Sequence, residues 1–588
     1  PVQSLKYPRV RMAAVMRTCA LLAQVTLGVA GSIACYDGKA NFAQAQWPYC
    51  QQVHESLLFY YGVTADGDYL KLGLYAANQQ GWTALALAGN GGMKGSQSIV
   101  VRQDNGVWVA EERYATAYST PVMQETQEVT LIFATEESGD TAWGVLLPMK
   151  SCKAGERYPI EDISRWMLWA MGSSHLFGFH SSRKGQFHAN LISGPKTPPD
   201  FSGKPEVELR MNNVDVVLGQ GGTDPTNPYI CGIFDLAELL PSDKNIADKH
   251  HVIKMSPILN STNEKYLHHM LLYGCNVGIQ HGMQFKHGDV IQECESMPRG
   301  CYDIKYAWAV GSEDVMLPAD VGMPFGGTVR WLALQFHYYN PRRDTGVKDN
   351  SGVRLTFDTS VRSQDAAMLE INGGTSPHRR PSLEPGQDNL VLPTMVIPKE
   401  VTETMPNDLN ILAVVHHGHL IGKSFKMEVT NGGNYVGMLR HEKMYDFNHQ
   451  SFEEPSLKML RKGDDLTFEC TYDTSARTEK TEFGDSTQNE MCWGALLYYP
   501  AMPVAECQYC GNFGAKRCIY CDGMNDRLDF FAPSVNPPQC QAKGDLSSTE
   551  ATSILDSLKV VHNPTTTVKA GTSSAVNAVA RIFVNWPI

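Results

Sequence analysis

The sequence predicts a mainly β chain organised as three or four domains. Three observations carry that expectation. With 588 residues, 43% of them apolar and 19% charged, the chain is too long for one core and too apolar to stay disordered. Apolar residues recur in alternating runs, the period of a half-buried strand, while long amphipathic helical patterns are scarce. Glycine (51) and proline (32) stand close to ordinary usage, which excludes a collagen-like or low-complexity chain. The net charge of −12 and the pI near 5.8 leave no basic footprint, so neither nucleic acid nor an anionic membrane surface is an expected partner.

Taken in order, residues 1–34 read as a secretory signal region. Met12 or Met16 starts it, Arg17 supplies the positive flank, CALLAQVTLGVA (19–30) is the apolar stretch, and Ser32-Ile33-Ala34 is a small-residue cleavage site. Its removal takes Cys19 away and leaves an even fourteen cysteines in an oxidising compartment, so a secreted or secretory-lumen protein with disulfides is expected. Asn260-Ser261-Thr262 is a candidate glycosylation acceptor on that route. No second segment is apolar enough for a membrane span, since the closing stretch AVNAVARIFVNWPI is short and broken by Arg581.

Residues 36–190 hold strand-like runs such as YLKLGLYAA, WTALALAG and WGVLLPM between Gly, Asn and Asp turns, a sandwich-sized unit that ends at the linker SGPKTPPDFSGKP (193–205). A second β-rich unit covers 206–358 and a third 359–505. From 506 to 588 the chain becomes cysteine-dense and then Ser/Thr-rich. Cys507, Cys510, Cys518 and Cys521 form C-x2-C-x7-C-x2-C, a zinc pattern in the cytosol and a disulfide pattern in a secreted chain.

The histidines concentrate the chemistry. His268-His269 lies in EKYLHHMLLYGC, His337 in WLALQFHYYNP, His417-Gly418-His419 in LAVVHHGHLIGK, and Met491 in STQNEMCWGALLYYP. Residues 417 and 419 of a period-2 strand share a face, so both imidazoles can reach one ion. His268 and His269 face opposite ways on an ideal strand and can share an ion only at a twist or a strand end. A lone His on an apolar strand is ordinarily a satisfied core residue, and a Met there is ordinarily filler. Imidazole does not choose among Zn, Cu, Fe and Ni, whereas a thioether beside two His favours Cu(I).

The strings YLHHMLLYGC, LQFHYYNP, HGHLIGK and NEMCWGALLYYP, in that order, resemble the signature segments of the copper type II, ascorbate-dependent monooxygenases, and together they span about residues 206–505. The resemblance implies two antiparallel, jelly-roll-like β-sandwich domains with one copper each, two per chain. His268, His269 and His337 would hold the electron-transferring copper. His417, His419 and Met491 would hold the copper that meets dioxygen. Ascorbate would supply electrons one at a time, and the partners would be dioxygen and a small organic substrate. The extra His416 is out of phase and is not carried over. The resemblance also pairs Cys231 with Cys294, Cys275 with Cys301, and Cys470 with Cys492. A Cys35–Cys50 pair is expected as well, leaving Cys152 and five tail cysteines, including Cys540, with open connectivity.

Residues 36–190 resemble a DOMON domain through GWTALALAGNGGMKGSQSIVV and RWMLWAMGSSHLFGFH. Some such domains bind haem b through Met and His, for which Met93 with His175 or His180 would be the candidates. A β-sandwich used for packing or homodimer contacts, without tightly bound haem, is the expected role. Members of the family that hydroxylate peptides hold a carboxylate with an Arg where this chain has Val415, and carry Asn and Tyr where it has Trp493 and Ala495. Together with the DOMON-like unit, this makes the dopamine β-monooxygenase and monooxygenase-X-like branch the expected one, with an aromatic amine as one candidate substrate. Two other classes compete. A non-catalytic copper module keeps the sites without turnover, and a zinc hydrolase would need a base beside an open metal position, for which no HExxH motif exists.

Overall fold

The computed structural model describes residues 34–530 apart from short internal stretches, the longer of them 152–157, 217–225, 277–284, 374–381 and 522–527. All but Ala34 of the expected signal region lies outside the described residues, as do Cys152 and Cys540. Among the described residues no helix is long and apolar enough to cross a membrane.

Residues 49–190 form two antiparallel sheets. One runs in the order Tyr49–His54, Leu57–Val63, Tyr69–Ala76, Asp140–Pro148, Thr130–Glu137. The other runs Lys184–Asn190, Ser164–Met171, Thr83–Leu87, Gln97–Asp104, Val107–Tyr114, Val122–Met123. Their inner faces share a core that includes Phe59, Leu72, Leu85, Ile99, Val145 and Met167. Leu57–Val63 departs from simple alternation, with six consecutive buried residues. A second cluster of Phe42, Trp47, Tyr60 and Phe133 covers its other face, and a Cys35–Cys50 disulfide closes that side.

Residues 206–365 build the second unit on a sheet ordered Glu206–Arg210, Gly352–Phe357, Lys249–Ile258, Val321–Gly326, Val329–Tyr338, Tyr229–Asp235, Val290–Gln292. Leu267–Asn276 branches off Val329–Tyr338 and pairs in turn with Cys301–Ala309.

In the third unit a sheet ordered Met459–Leu460, Leu409–His417, Trp493–Tyr499, Ala367–Asn372 packs on a second sheet containing Gly422–Asn431 and Asp465–Tyr472. Its strands serve two cores by alternation. Leu369, Val414 and Leu496 point into the third unit, whereas their neighbours Met368, Val415 and Leu497 join the core of the second. The apolar junction that results brings the His417 end of one strand against the His269 face of another. The cysteine-rich segment continues the same sheet, since Glu506–Phe513 pairs in parallel with Ala367–Asn372 and Lys516–Cys521 follows it. Cys507 and Cys521 are joined as a disulfide, so the C-x2-C-x7-C-x2-C pattern is not a four-thiolate zinc site.

Between the two sheets of the N-terminal sandwich, the buried Trp143 donates its indole N–H to Thr83 Oγ1 at 2.6 Å. Trp143→Phe should therefore cost about 1–3 kcal/mol in denaturant unfolding, the range for leaving a buried hydroxyl unpaired. A change below about 0.5 kcal/mol would mean that the hydroxyl finds another partner in the variant.

Candidate metal centre

The first histidine set depends on one irregularity in strand pairing. Leu267 faces Tyr338 and His269 faces His337, so the register slips and His268 is the extra residue of a β-bulge. The slip lets adjacent side chains turn to one side, as the sequence requires if both are to meet one ion. His268 Nδ1 lies 3.2 Å from His269 Nδ1, and His337 Nδ1 lies 3.4 Å from the same atom. Four ligands at about 2.0–2.1 Å around one tetrahedral ion stand about 3.3 Å apart, so the spacing of these nitrogens is that of a metal site. No carboxylate or thiolate joins the cluster among the described residues. Tyr229 stacks on His337 with ring centroids 4.2 Å apart, and Phe447 stacks on His268 at 4.1 Å. His268 Nε2 stands 3.3 Å from the Phe447 carbonyl oxygen, which leaves Nδ1 for the ion.

In the second set it is the other ring nitrogen that the hydrogen bonds leave over. His417 ends the Leu409–His417 strand, and His419 follows with its ring centroid 5.2 Å away. His417 Nδ1 donates to Gln450 Oε1 at 2.6 Å and His419 Nδ1 donates to the Asn489 carbonyl at 3.1 Å. Both partners are acceptors, so Nε2 of each ring is the lone pair left to bind. His419 Nε2 is buried and has no hydrogen-bond partner among the described residues. Met491 lines the same cavity as His417, and its carbonyl oxygen sits against Gly418, where a Cβ would approach it to 3.1 Å. The Glu490 carboxylate gathers this loop by accepting from the backbone N–H groups of His419 (2.8 Å), Ile421 (2.9 Å) and Met491 (3.2 Å). Burial pushes its carboxyl up to about 7 despite those donors. His416 points into the third unit, stacked on Phe468 and 3.4 Å from Glu442.

The two sets adjoin. The rings of His269 and His417 are 5.6 Å apart across the junction, and a cavity of about 220 Å³ opens beside them. Trp308, Trp493, Tyr229 and Phe452 form its aromatic walls, and Gln335 and Asn372 supply amides.

Residues 209–345 match the copper type II ascorbate-dependent monooxygenase N-terminal domain, and 364–517 match the C-terminal domain of the same enzymes. The chain belongs to this family. Residues 53–172 match the DOMON domain. DBH-like monooxygenase protein 1 of Gallus gallus is 26% identical over 444 residues, 73% of this chain and 69% of that protein. The Homo sapiens protein of the same name is 27% identical over 441 residues, with the same shares covered. Dopamine beta-hydroxylase of Canis lupus familiaris is 29% identical over 379 residues, 61% of this chain and 57% of that one. The protein is a copper- and ascorbate-dependent monooxygenase.

In this monooxygenase three disulfides brace the strands around the histidines: Cys231–Cys294, Cys275–Cys301 and Cys470–Cys492. Val415 and Trp493, which stand where peptide-hydroxylating members carry an Arg and an Asn, both face the cavity. The haem candidates are not brought together. His175 accepts from the Gln103 N–H, near the far end of the strand that Met93 precedes, and pairs with Glu136 at 3.0 Å. That strand has eight residues, at about 3.3 Å each. His180 lies in the hairpin loop at the same end as His175, because Met171 pairs with Thr83 and Thr83 with Val101. Sequence reasoning missed Gln450, Asn489, Glu490 and Phe447. Only Glu490 left a trace, as an acidic residue beside Met491 at the edge of an apolar run.

Burial lowers every imidazole of both sets, and neighbouring rings add to it at His268, His269, His337 and His419, whereas at His417 the Gln450 hydrogen bond opposes it. His268 falls to about 3 and His417 to about 4, while His269, His337 and His419 lie well below the usual range. All five are neutral, ligand-competent donors at pH 7. Unfolded histidines take up protons near pH 6.5, whereas these stay neutral until far lower pH, so the unfolded chain binds more protons in that interval. The metal-free monooxygenase should therefore lose stability progressively as pH falls from about 6.5 towards 4, read as a falling Tm. A flat Tm across that window would mean that the rings are solvated.

Proposed function

We propose that this monooxygenase hydroxylates a C–H bond of a small, uncharged aromatic molecule, using dioxygen and ascorbate in the lumen of the secretory pathway. The observation that carries the reading is the aromatic cavity set beside His269 and His417, with Met491 on its wall. In this reading His268, His269 and His337 hold one copper through Nδ1, and His417, His419 and Met491 hold the other through Nε2 and the thioether. Copper bound there supplies one-electron storage at each set and, beside the soft thioether, a Cu(I) form suited to dioxygen. The chain's own work is to orient and exclude. Gln450 and Asn489 fix the tautomers of His417 and His419. Trp308 and Trp493 flank the space for an aromatic ring and keep bulk water from it. The five disulfides among the described residues favour an oxidising compartment.

No lining residue carries a charge when the imidazoles are neutral, and burying an unpaired ammonium is costly. An uncharged aromatic should therefore bind at least about 10-fold tighter than its isosteric ammonium analogue at pH 7 in a competition assay. Equal binding of the two would remove the uncharged-substrate reading.

Copper content with oxygen uptake tests the chemistry. Two coppers per chain and ascorbate-dependent uptake are expected, while zinc without uptake would overturn the proposal. Met491→Ala should reduce hydroxylation to background and leave a three-histidine copper that ascorbate still reduces. His337→Ala should also lose turnover, yet keep Cu(I) at the second set able to bind carbon monoxide. Carbon monoxide binding at full strength in Met491→Ala, with its loss in His337→Ala, would reverse the two assignments.

A further inference from the structure

The DOMON unit touches the third unit through polar side chains that converge on one short segment. Trp166, 2% exposed, donates its indole N–H to Glu453 at 2.6 Å and to Ser451 Oγ at 3.2 Å. His188, its cross-strand partner, lies against the indole at a tilt of 37°, with ring centroids 3.7 Å apart. The imidazole stands 3.0 Å from Glu313 of the second unit and 3.7 Å from Glu453 of the third, so all three units meet at one side chain. Burial opposes its charge, but the two carboxylates prevail and raise it to about 9. Around this point Asn90 donates to Glu442, Lys94 to the Tyr445 carbonyl, and the Ser164 N–H to Glu454.

From Glu453 the chain leads directly to both histidine sets. Glu453 and Val414 exchange two backbone hydrogen bonds of 2.9 Å, three residues before His417. Gln450 Oε1 accepts a hydrogen bond from His417 Nδ1–H, and its backbone carbonyl accepts from Ser312 Oγ of the second unit at 2.9 Å. Gln450 Nε2 donates to the Phe447 carbonyl at 2.8 Å, and the Phe447 ring lies on His268. One run of seven residues, 447–453, therefore joins the DOMON face to a ring in each set.

We propose that the DOMON unit is a positioning element of the paired histidine sets. Trp166 and His188 hold Glu453, and through segment 447–453 they hold the Gln450 bond to His417 and the Phe447 ring on His268. The proposal rests on reading those sets as copper sites, but its first readout needs no metal.

In the full-length, metal-free protein, Trp166→Phe, His188→Gln and Glu453→Leu should each speed amide hydrogen exchange over 447–453 by about 10-fold or more. The strand Leu57–Val63 should keep wild-type protection, which shows that the sandwich still folds. Glu453→Gln, which retains an oxygen for the indole but gives up the charge facing His188, should loosen the segment less than Glu453→Leu. Ser456→Ala, which removes only the contact to Glu161 at the rim, should also be unchanged. With Cu(II) added, the three loosening variants should bind the His417 copper about 10-fold more weakly and with an altered EPR spectrum. Wild-type exchange over 447–453 in both Trp166→Phe and His188→Gln would overturn the proposal. Equal loosening in Ser456→Ala would overturn it too, since the interface as a whole would then be responsible. A wild-type chain that takes up no copper would overturn the copper reading, while the exchange data alone would still decide the positioning of the segment.

Discussion

Adjacent residues on a strand point to opposite faces, so His268 and His269 can share an ion only where their strand carries one residue more than its partner. The bulge between Leu267 and His269 is that place, and the rest of the centre is arranged around it. His337 completes the set because it lies opposite His269, and Tyr229 can stack on His337 because it lies opposite that residue in turn. Disulfides restrain the same strands: Cys275 ties Leu267–Asn276 to Cys301, and Cys231 ties the Tyr229 strand to Cys294. A slipped register would have to move against those covalent ties.

Desolvation then sets the chemistry available. Four buried imidazoles and the half-buried His417 stand close together and resist protonation. A neutral imidazole is what a metal needs, and the same burial removes competing water from the lone pairs. The protein offsets part of the cost of burying so many polar rings by stacking His337 on Tyr229 and His268 on Phe447 and by giving the second nitrogens of His268, His417 and His419 definite acceptors.

Much of this was legible in the chain. Alternating apolar runs announced the sheets, and the H-x-H pair, the HH pair and the lone His and Met on apolar strands marked the residues that the fold draws together. What escaped has a common physical cause: periodicity tells which residues share a face but not what covers it. Leu57–Val63 is buried on both faces because Phe42 and Trp47 come back over it. Val414 and Val415 sit in different cores, which no alternation could assign. The bulge has no glycine to signal it, and Gln450 lies 33 residues from the His417 that it orients.

The parallel addition of Glu506–Phe513 carries a consequence for the order in which the chain is made. Ala367–Asn372 pairs with Trp493–Tyr499 on one side and with this late strand on the other, so it is an unprotected sheet edge until the late strand arrives. A ribosome delivers residue 367 well over a hundred residues before residue 506, at about 5–20 residues per second. For nearly all of that time Ala367–Asn372 has neither partner, because Trp493–Tyr499 is itself made only shortly before Glu506, so both flanks of the strand stay open among other nascent chains. Assembly of the catalytic unit is thus timed by the emergence of its last strands, and chaperone protection matters most in that interval.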